Sequence, residues 1–284
     1  MKIFYDPRQC AAQQSESPSA EKPRWVLEDW QAMPELDVEV MAVEPASIEE
    51  LCRAHKRSFV ERVLACKEQN GFGNKLPQVA AALPWTSGSL LSAARWAVDN
   101  QRAACSPTSG FHHAEWDTAM GFCTFNGLMV AALALKEEGR VERVGIIDCD
   151  AHYGNGTEDI RNRMGIDWLV HRTMGMRFQI QERASPGAFE RWLAEAVEAC
   201  RDCSLVLYQA GADPHVDDPY GGVLTSTQMS ERDRVVFEAF AGKALVWNLA
   251  GGYQVDSSKA FPERIEAVLA LHRQTALWHQ RLLR

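Results

Sequence analysis

No stretch of this chain stays apolar for the roughly 20 residues that a membrane-spanning helix needs, so its length patterning excludes such a span. Positive charge is in short supply. Thirty Lys and Arg stand against 38 Asp and Glu, a net of −8, which argues against a nucleic-acid surface and only mildly favours a cationic substrate. Met1–Asp6 is too short and too polar for a signal peptide. The eight cysteines lack paired spacing: Cys200 and Cys203 form the one CxxC, weak as a zinc or redox motif without a second pair. Reduced thiols in a cytoplasmic protein are the simpler reading. No repeat, low-complexity tract or dividing linker interrupts the 284 residues, so the chain reads as one domain over 1–284.

What is present is an alternation. Strands are expected at Lys2–Tyr5, Val38–Val43 (an edge strand), Arg102–Ser106, Arg143–Cys149, Trp168–His171, Ser204–Gln209 and Ala244–Leu249. Helices are expected near Pro23–Met33, after Ser47 with Glu50 completing a capping box, and over Ser58–Glu68, Ser87–Asp99 and Phe125–Glu138. Further helices are expected over Glu158–Met164, Pro186–Cys200, Ser226–Phe240 and Pro262–Leu282. Strands alternating with helices make an α/β fold, a parallel sheet covered on both faces. Asn70–Asn74, with two glycines flanking Phe72, reads as a loop that approaches something closely or as an ordinary tight turn.

The most informative stretch runs from Val144 to Thr157. An apolar strand ends in Asp148, Asp150 and His152, spaced by two, which on an extended backbone share one face. A core holds two carboxylates and an imidazole cheaply only if a cation satisfies them, and ligands of open parallel sheets bind beyond the carboxyl ends of the strands. Other segments end comparably: one strand in Asp213 after Gly211, another in Tyr253 after Gly251-Gly252. His112-His113 precede the Phe125–Glu138 helix. On chemistry alone, Asp150, His152 and Asp213 make a three-ligand site with an open position, the form of a catalytic zinc site. A metal there can activate water, a histidine pair can move protons and a tyrosine hydroxyl can polarise a carbonyl. The reaction class is metal-assisted hydrolysis of an amide or ester.

Six motifs stand in order: Ser109–Ala114 with His112-His113, Gly121–Asn126, Asp148-Cys149-Asp150-Ala151-His152, Gly154–Thr157, Gly211–Asp213 with Asp218-Pro219, and Gly251–Tyr253. Together they resemble the histone deacetylase and acetylpolyamine amidohydrolase superfamily. The resemblance implies the arginase-like fold, a three-layer αβα sandwich around a mostly parallel sheet of about eight strands. It implies zinc, one per chain, on Asp150, His152 and Asp213, with His112 and His113 as the general base and acid pair, their division left open. Tyr253 would hydrogen-bond the scissile carbonyl. Gly121 and Phe122 would bind substrate along a tunnel. Asp148 would orient His112 and serve a structural monovalent cation, usually K+. Polyamine-type relatives can pair as homo-oligomers that narrow the entrance.

Departures from the pattern are Tyr153 after the zinc ligand, Asn155 where some members carry the aspartate that faces His113, and Gly127 in place of an aspartate. Arg172–Phe178 lacks the usual proline–glycine pattern, which weakens the K+ assignment and leaves Met176 or Phe178 for the second tunnel wall. Glu115, Trp116 and Asp117 read as a solvated rim, His171 as structural, and His55 and His215 as without a role. The expectation is a cytoplasmic zinc deacetylase acting on acetyl-lysine, an acetylpolyamine or another small acylated amine, with no nucleic-acid or membrane partner. The alternatives are hydrolysis of an ester or another small amide, or a non-catalytic module that binds acylated ligands.

Overall fold

A computed structural model describes residues 1–12, 17–175, 185 and 187–283. Its centre is a sheet of seven strands: β1 Lys2–Phe4, β2 Glu39–Met41, β3 Ala103–Ser106, β4 Val144–Asp148, β5 Leu169–Thr173, β6 Leu205–Gln209 and β7 Leu245–Asn248. The order is β2-β1-β3-β7-β6-β4-β5, and every pairing is parallel. The family likeness suggested about eight strands; the described residues form seven, because after β7 the chain turns into the Gly251–Tyr253 loop and then helix Glu266–Leu282.

The central strands are buried on both faces, which is why they read as apolar runs. Their alternation divides the core. Ile147, Val206, Tyr208 and Trp247 pack with helices Lys22–Gln31, Ala188–Ala199, Ser226–Ala239 and Glu266–Leu282. Val144, Ile146, Leu207 and Val246 pack with helices Ile48–Ala54, Arg57–Leu64, Pro77–Asn100 and Gly127–Glu137. The result is three layers, helices–sheet–helices. Among the described residues no helix is long and apolar enough to cross a membrane.

The Ser47–Glu50 capping box forms as expected, each residue bonding the other's backbone N–H. The helix expected at Ser87 starts ten residues earlier, at Pro77, and contains Pro84. Pro77 suits the first turn, where its missing N–H costs nothing. Pro84 lies inside this helix although sequence rules place a proline at a helix boundary, and its carbonyl accepts from the Ala46 N–H at 2.9 Å. The segment Phe178 or Met176, expected to wall the tunnel, lies outside the described residues.

At the carboxyl edge of the sheet the register draws one polar row across five strands. Ser106 is paired with Asn248, Asn248 with Gln209, Gln209 with Asp148, and Asp148 with Thr173. The strands change from apolar to polar together, and the loops above this row carry the candidate chemistry.

Candidate active site

β4 ends at Asp148, and the chain bends at Asp150. Strand alternation therefore ends two residues before Asp150. A pair of Asx-type turns replaces it: the Asp150 N–H bonds Asp148 Oδ1 at 3.2 Å, and the His152 N–H bonds Asp150 Oδ1 at 3.0 Å. Each acidic side chain steers the backbone two residues on, and so brings the next one round to the cluster.

Asp150, His152 and Asp213 converge. Their ligand atoms lie within 4.8 Å of one another, the only such group of three among the described residues. His152 Nδ1 is 3.0 Å from Asp150 Oδ1 and 3.0 Å from Asp213 Oδ2. Ligands about 2.0–2.1 Å from a tetrahedral zinc sit roughly 3.3 Å apart, so the three donors need little movement to hold one. The electrostatics point the same way. Hydrogen bonds to both carboxylates push the His152 imidazole up to about 11, while burial and the adjacent Asp150 push the Asp213 carboxyl up to about 8. One imidazolium cannot offset two buried carboxylates, so the cluster is short of positive charge. A divalent cation in place of the His152 proton would let both acids ionise.

Two buried cations support the loops from behind. Lys22 Nζ, fully buried, donates to the Ala250 carbonyl at 2.7 Å and the Gly251 carbonyl at 3.0 Å. Arg232 donates to the Gly211 carbonyl at 2.7 Å and pairs with Asp233 at 2.9 Å. The Gly251 N–H in turn bonds Asp150 Oδ2 at 2.9 Å. Neither cation stood out in the sequence. Lys22 sits in a polar helix start and Arg232 in a charged helix, and each finds its partners across the fold.

The tandem histidines differ. His112 Nδ1 donates to Asp148 Oδ2 at 2.7 Å, and its Nε2 lies 3.5 Å from Asp150 Oδ1. Burial opposes its charge, but Asp148 and Asp150 more than offset this and raise it to about 9. Asp148 is held down at about 2, since the His112 charge and hydrogen bond outweigh its burial. His113 is lowered to about 4 by burial and by the His112 charge. Its Nδ1 is 2.6 Å from Asn155 Oδ1, and Asn155 Nδ2 donates to Glu115 Oε1 at 2.9 Å. Glu115, read from sequence as solvated rim, thus fixes which way the Asn155 amide faces. Asp117 does stand at the surface, paired with Lys56 at 3.2 Å, and the Trp116 N–H bonds Asp159 Oδ2 at 3.0 Å.

Tyr253 hangs from the loop after β7, its N–H bonded to Asp218 Oδ2 at 2.7 Å. Its ring meets Phe122 at 5.7 Å between centroids and Tyr220 edge-on at 5.1 Å. Burial and the charges of Asp150 and Asp213 push its hydroxyl well above 10, so it keeps its proton and donates. Gly121 has φ +55, and a Cβ there would lie 2.5 Å from His113 Cδ2. Gly127, unexplained by sequence, is accounted for by the Phe111 ring, which sits 2.5 Å from where its Cβ would be. His55 is structural: its Nε2 accepts the Asn126 N–H at 2.7 Å.

The Asn70–Asn74 loop does approach another segment. The Phe122 N–H donates to the Gly71 carbonyl at 2.9 Å, and a Cβ on Gly71 would lie 2.4 Å from the Cys123 carbonyl oxygen. Backbone cannot rotate away from that contact. Gly71→Ala is expected to displace Phe122, costing about 1–3 kcal/mol of stability. The melting temperature should fall, and KM should rise more than kcat drops. An unchanged melting curve and KM would show that the two loops are not coupled.

The sequence model of the histone deacetylase domain matches residues 19–165, just over half of the chain. The histone deacetylase-like amidohydrolase of Pseudomonas aeruginosa is 29% identical over 257 residues, covering 76% of this chain and 66% of its own length. The chloroplastic histone deacetylase 10 of Oryza sativa subsp. japonica is 27% identical, covering 78% and 60%. The chain thus spans less than two thirds of the length of these curated relatives. A crystal structure of acetylpolyamine aminohydrolase from Burkholderia pseudomallei superposes with a TM-score of 0.72, covering 98% of both chains at 18% identity, a likeness of fold.

Proposed function

The chain belongs to the histone deacetylase family, and from that premise we propose that it is a zinc-dependent amidohydrolase that removes an acetyl or other short acyl group from an amine. The observation that carries the reading is the convergence of Asp150, His152 and Asp213 beside two histidines of opposite character and a protonated tyrosine. Two carboxylates and an imidazole suit zinc among biological cations. A divalent metal held there supplies Lewis acidity and lowers the pKa of a water brought to it.

The remaining work falls to side chains. Asn155 Oδ1 can only accept, so His113 carries its proton on Nδ1 and presents a bare Nε2. Neutral at pH 7, it is the proton acceptor for the attacking water, and afterwards it returns that proton to the departing amine. His112, held charged by Asp148, stabilises negative charge as it develops. Tyr253 donates its hydroxyl hydrogen to the acyl carbonyl, and Phe122 lines the approach.

Asn155 gives this arrangement a test through pH. Asn155→Asp puts a carboxylate against His113 and raises its folded-state pKa. The base form is then lost at higher pH, so the acid limb of kcat/KM should move upward. An acid limb that stays in place would remove His113 as the base.

The reading as a whole is tested by a hydrolysis panel of acetyl-lysine peptides, acetylpolyamines, small acetamides and esters, with zinc and with a chelator. Amide turnover that disappears with the metal and returns on adding zinc is expected. Full amide turnover by protein shown to be metal-free would overturn the proposal.

A further inference from the structure

Gly145 lies within β4, flanked by Val170 of β5 and Val206 of β6. A glycine weakens a buried strand, and its usual reason there is the close approach of another group. Two sulfurs make that approach. A Cβ on Gly145 would lie 2.7 Å from Cys200 Sγ and 3.2 Å from Cys203 Sγ. Both thiols are seated over one backbone atom.

The turn that carries them also brings their backbones together. Helix Ala188–Ala199 ends at Cys200, and the Cys203 N–H donates to the Cys200 carbonyl at 3.0 Å. Such a bond closes a turn whose first and fourth Cα atoms lie within about 7 Å, and a disulfide spans roughly 4.4–6.8 Å between Cα atoms. The Cys-x-x-Cys spacing is weak by itself; convergent sulfurs on a closed turn are what it lacked. The two thiols are also unequal. Cys203 is 8% exposed beside the exposed Arg201 and Asp202, whereas Cys200 is fully buried. The hydrogen bond from Cys200 lowers the Cys203 thiol, and Arg143 and Lys243 act in the same direction. Lys243 is fixed at the turn by donating to the Arg201 carbonyl at 2.6 Å.

We infer that Cys200 and Cys203 are a redox-active dithiol that a small-molecule disulfide, such as oxidised glutathione, converts to an intrachain disulfide. The Cys203 thiolate attacks one sulfur of the reagent and expels the other half as a thiolate. Cys200 then attacks Cys203 Sγ in the mixed disulfide, forms the Cys200–Cys203 bond and expels the second half. The protein gives up two electrons and two protons, and the reagent takes them up as two thiols. The new bond ties the end of helix Ala188–Ala199 to the start of β6, at the amino-terminal edge of the sheet. Asp150, His152 and Asp213 lie beyond the opposite edge, so the inference stands whichever bond the active site cleaves.

The test uses the folded 284-residue chain, reduced and then freed of reductant. It is incubated with oxidised glutathione near neutral pH and quenched with acid, and free thiols are blocked with N-ethylmaleimide. The chymotryptic peptide bearing both cysteines should lose both maleimide additions and weigh two hydrogens less than its reduced form. A dithiol reductant should restore both additions. In Cys200→Ser the reaction should stop at Cys203, which keeps one glutathione; in Cys203→Ser neither position should react. Turnover in both variants should match the parent. A parent whose two thiols both remain open to the maleimide, or whose Cys203 keeps the glutathione, would overturn the inference. Both of these readings come from the parent, so they decide the matter even if a variant does not fold.

Discussion

Asp213→Ala is expected to abolish zinc binding and turnover, yet to give a metal-free protein that at pH 8 melts no lower than the metal-free parent. The two halves of this result come from one side chain. Asp213 is fully buried, and burial together with Asp150 lifts its carboxyl from 3.8 to about 8. A folded-state pKa above the unfolded value means that the folded chain binds the extra proton. Stability from this group is therefore present below pH 3.8 and is lost as pH rises through the window from 3.8 to about 8. Alanine removes that loss. The same substitution deletes one of the three proposed ligands, and the two left would not hold zinc against water. Metal content by elemental analysis should fall from one per chain to none, and the stabilisation that zinc gives the parent by mass action should vanish. A variant that retains stoichiometric zinc would take Asp213 out of the ligand set.

Tyr253→Phe should do the reverse, keeping metal and fold while losing chemistry. The ring is held by Phe122 and Tyr220 and the backbone by Asp218, none of which involves the hydroxyl. What disappears, on the proposed mechanism, is a hydrogen-bond donor to the oxygen on which charge develops. Such donors are worth about 10²- to 10³-fold in kcat. Steady-state kinetics should show that loss in kcat with KM nearly unchanged, at parental zinc content and melting temperature. Equal turnover in the two proteins would assign carbonyl polarisation elsewhere.

The sequence made the alternation of strands and helices legible because buried parallel strands are apolar throughout and end abruptly. The same contrast marked Asp150, His152 and Asp213, whose charge at the end of apolar runs has no cheap structural explanation. The structure brings these three together with His112, His113 and Tyr253. The missed features depend on distance along the chain. Pro84 lies inside Pro77–Asn100 with its carbonyl bonded to the distant Ala46 N–H, and Lys22 is buried against carbonyls near residue 250. Residue spacing also gave the wrong reason for the convergence, since turns built by the acidic side chains, not strand alternation, turn His152 toward Asp150 and Asp213. His171, read as structural, shows the limit: nothing local distinguishes a packed histidine from one whose Nδ1 lies 2.7 Å from Glu158 Oε2.

The grip of Lys22 on the Ala250 and Gly251 carbonyls joins residues 228 positions apart, and it has a bearing on how the protein is made. A ribosome delivers Lys22 before its acceptors. Asp150 and His152 emerge well before Asp213, and the Gly251 amide that steadies Asp150 emerges later still. Until Asp213 and the Gly251 amide have emerged, a growing chain therefore lacks part of the proposed ligand set. On the proposed reading, metal capture would follow closure of the sheet by β7.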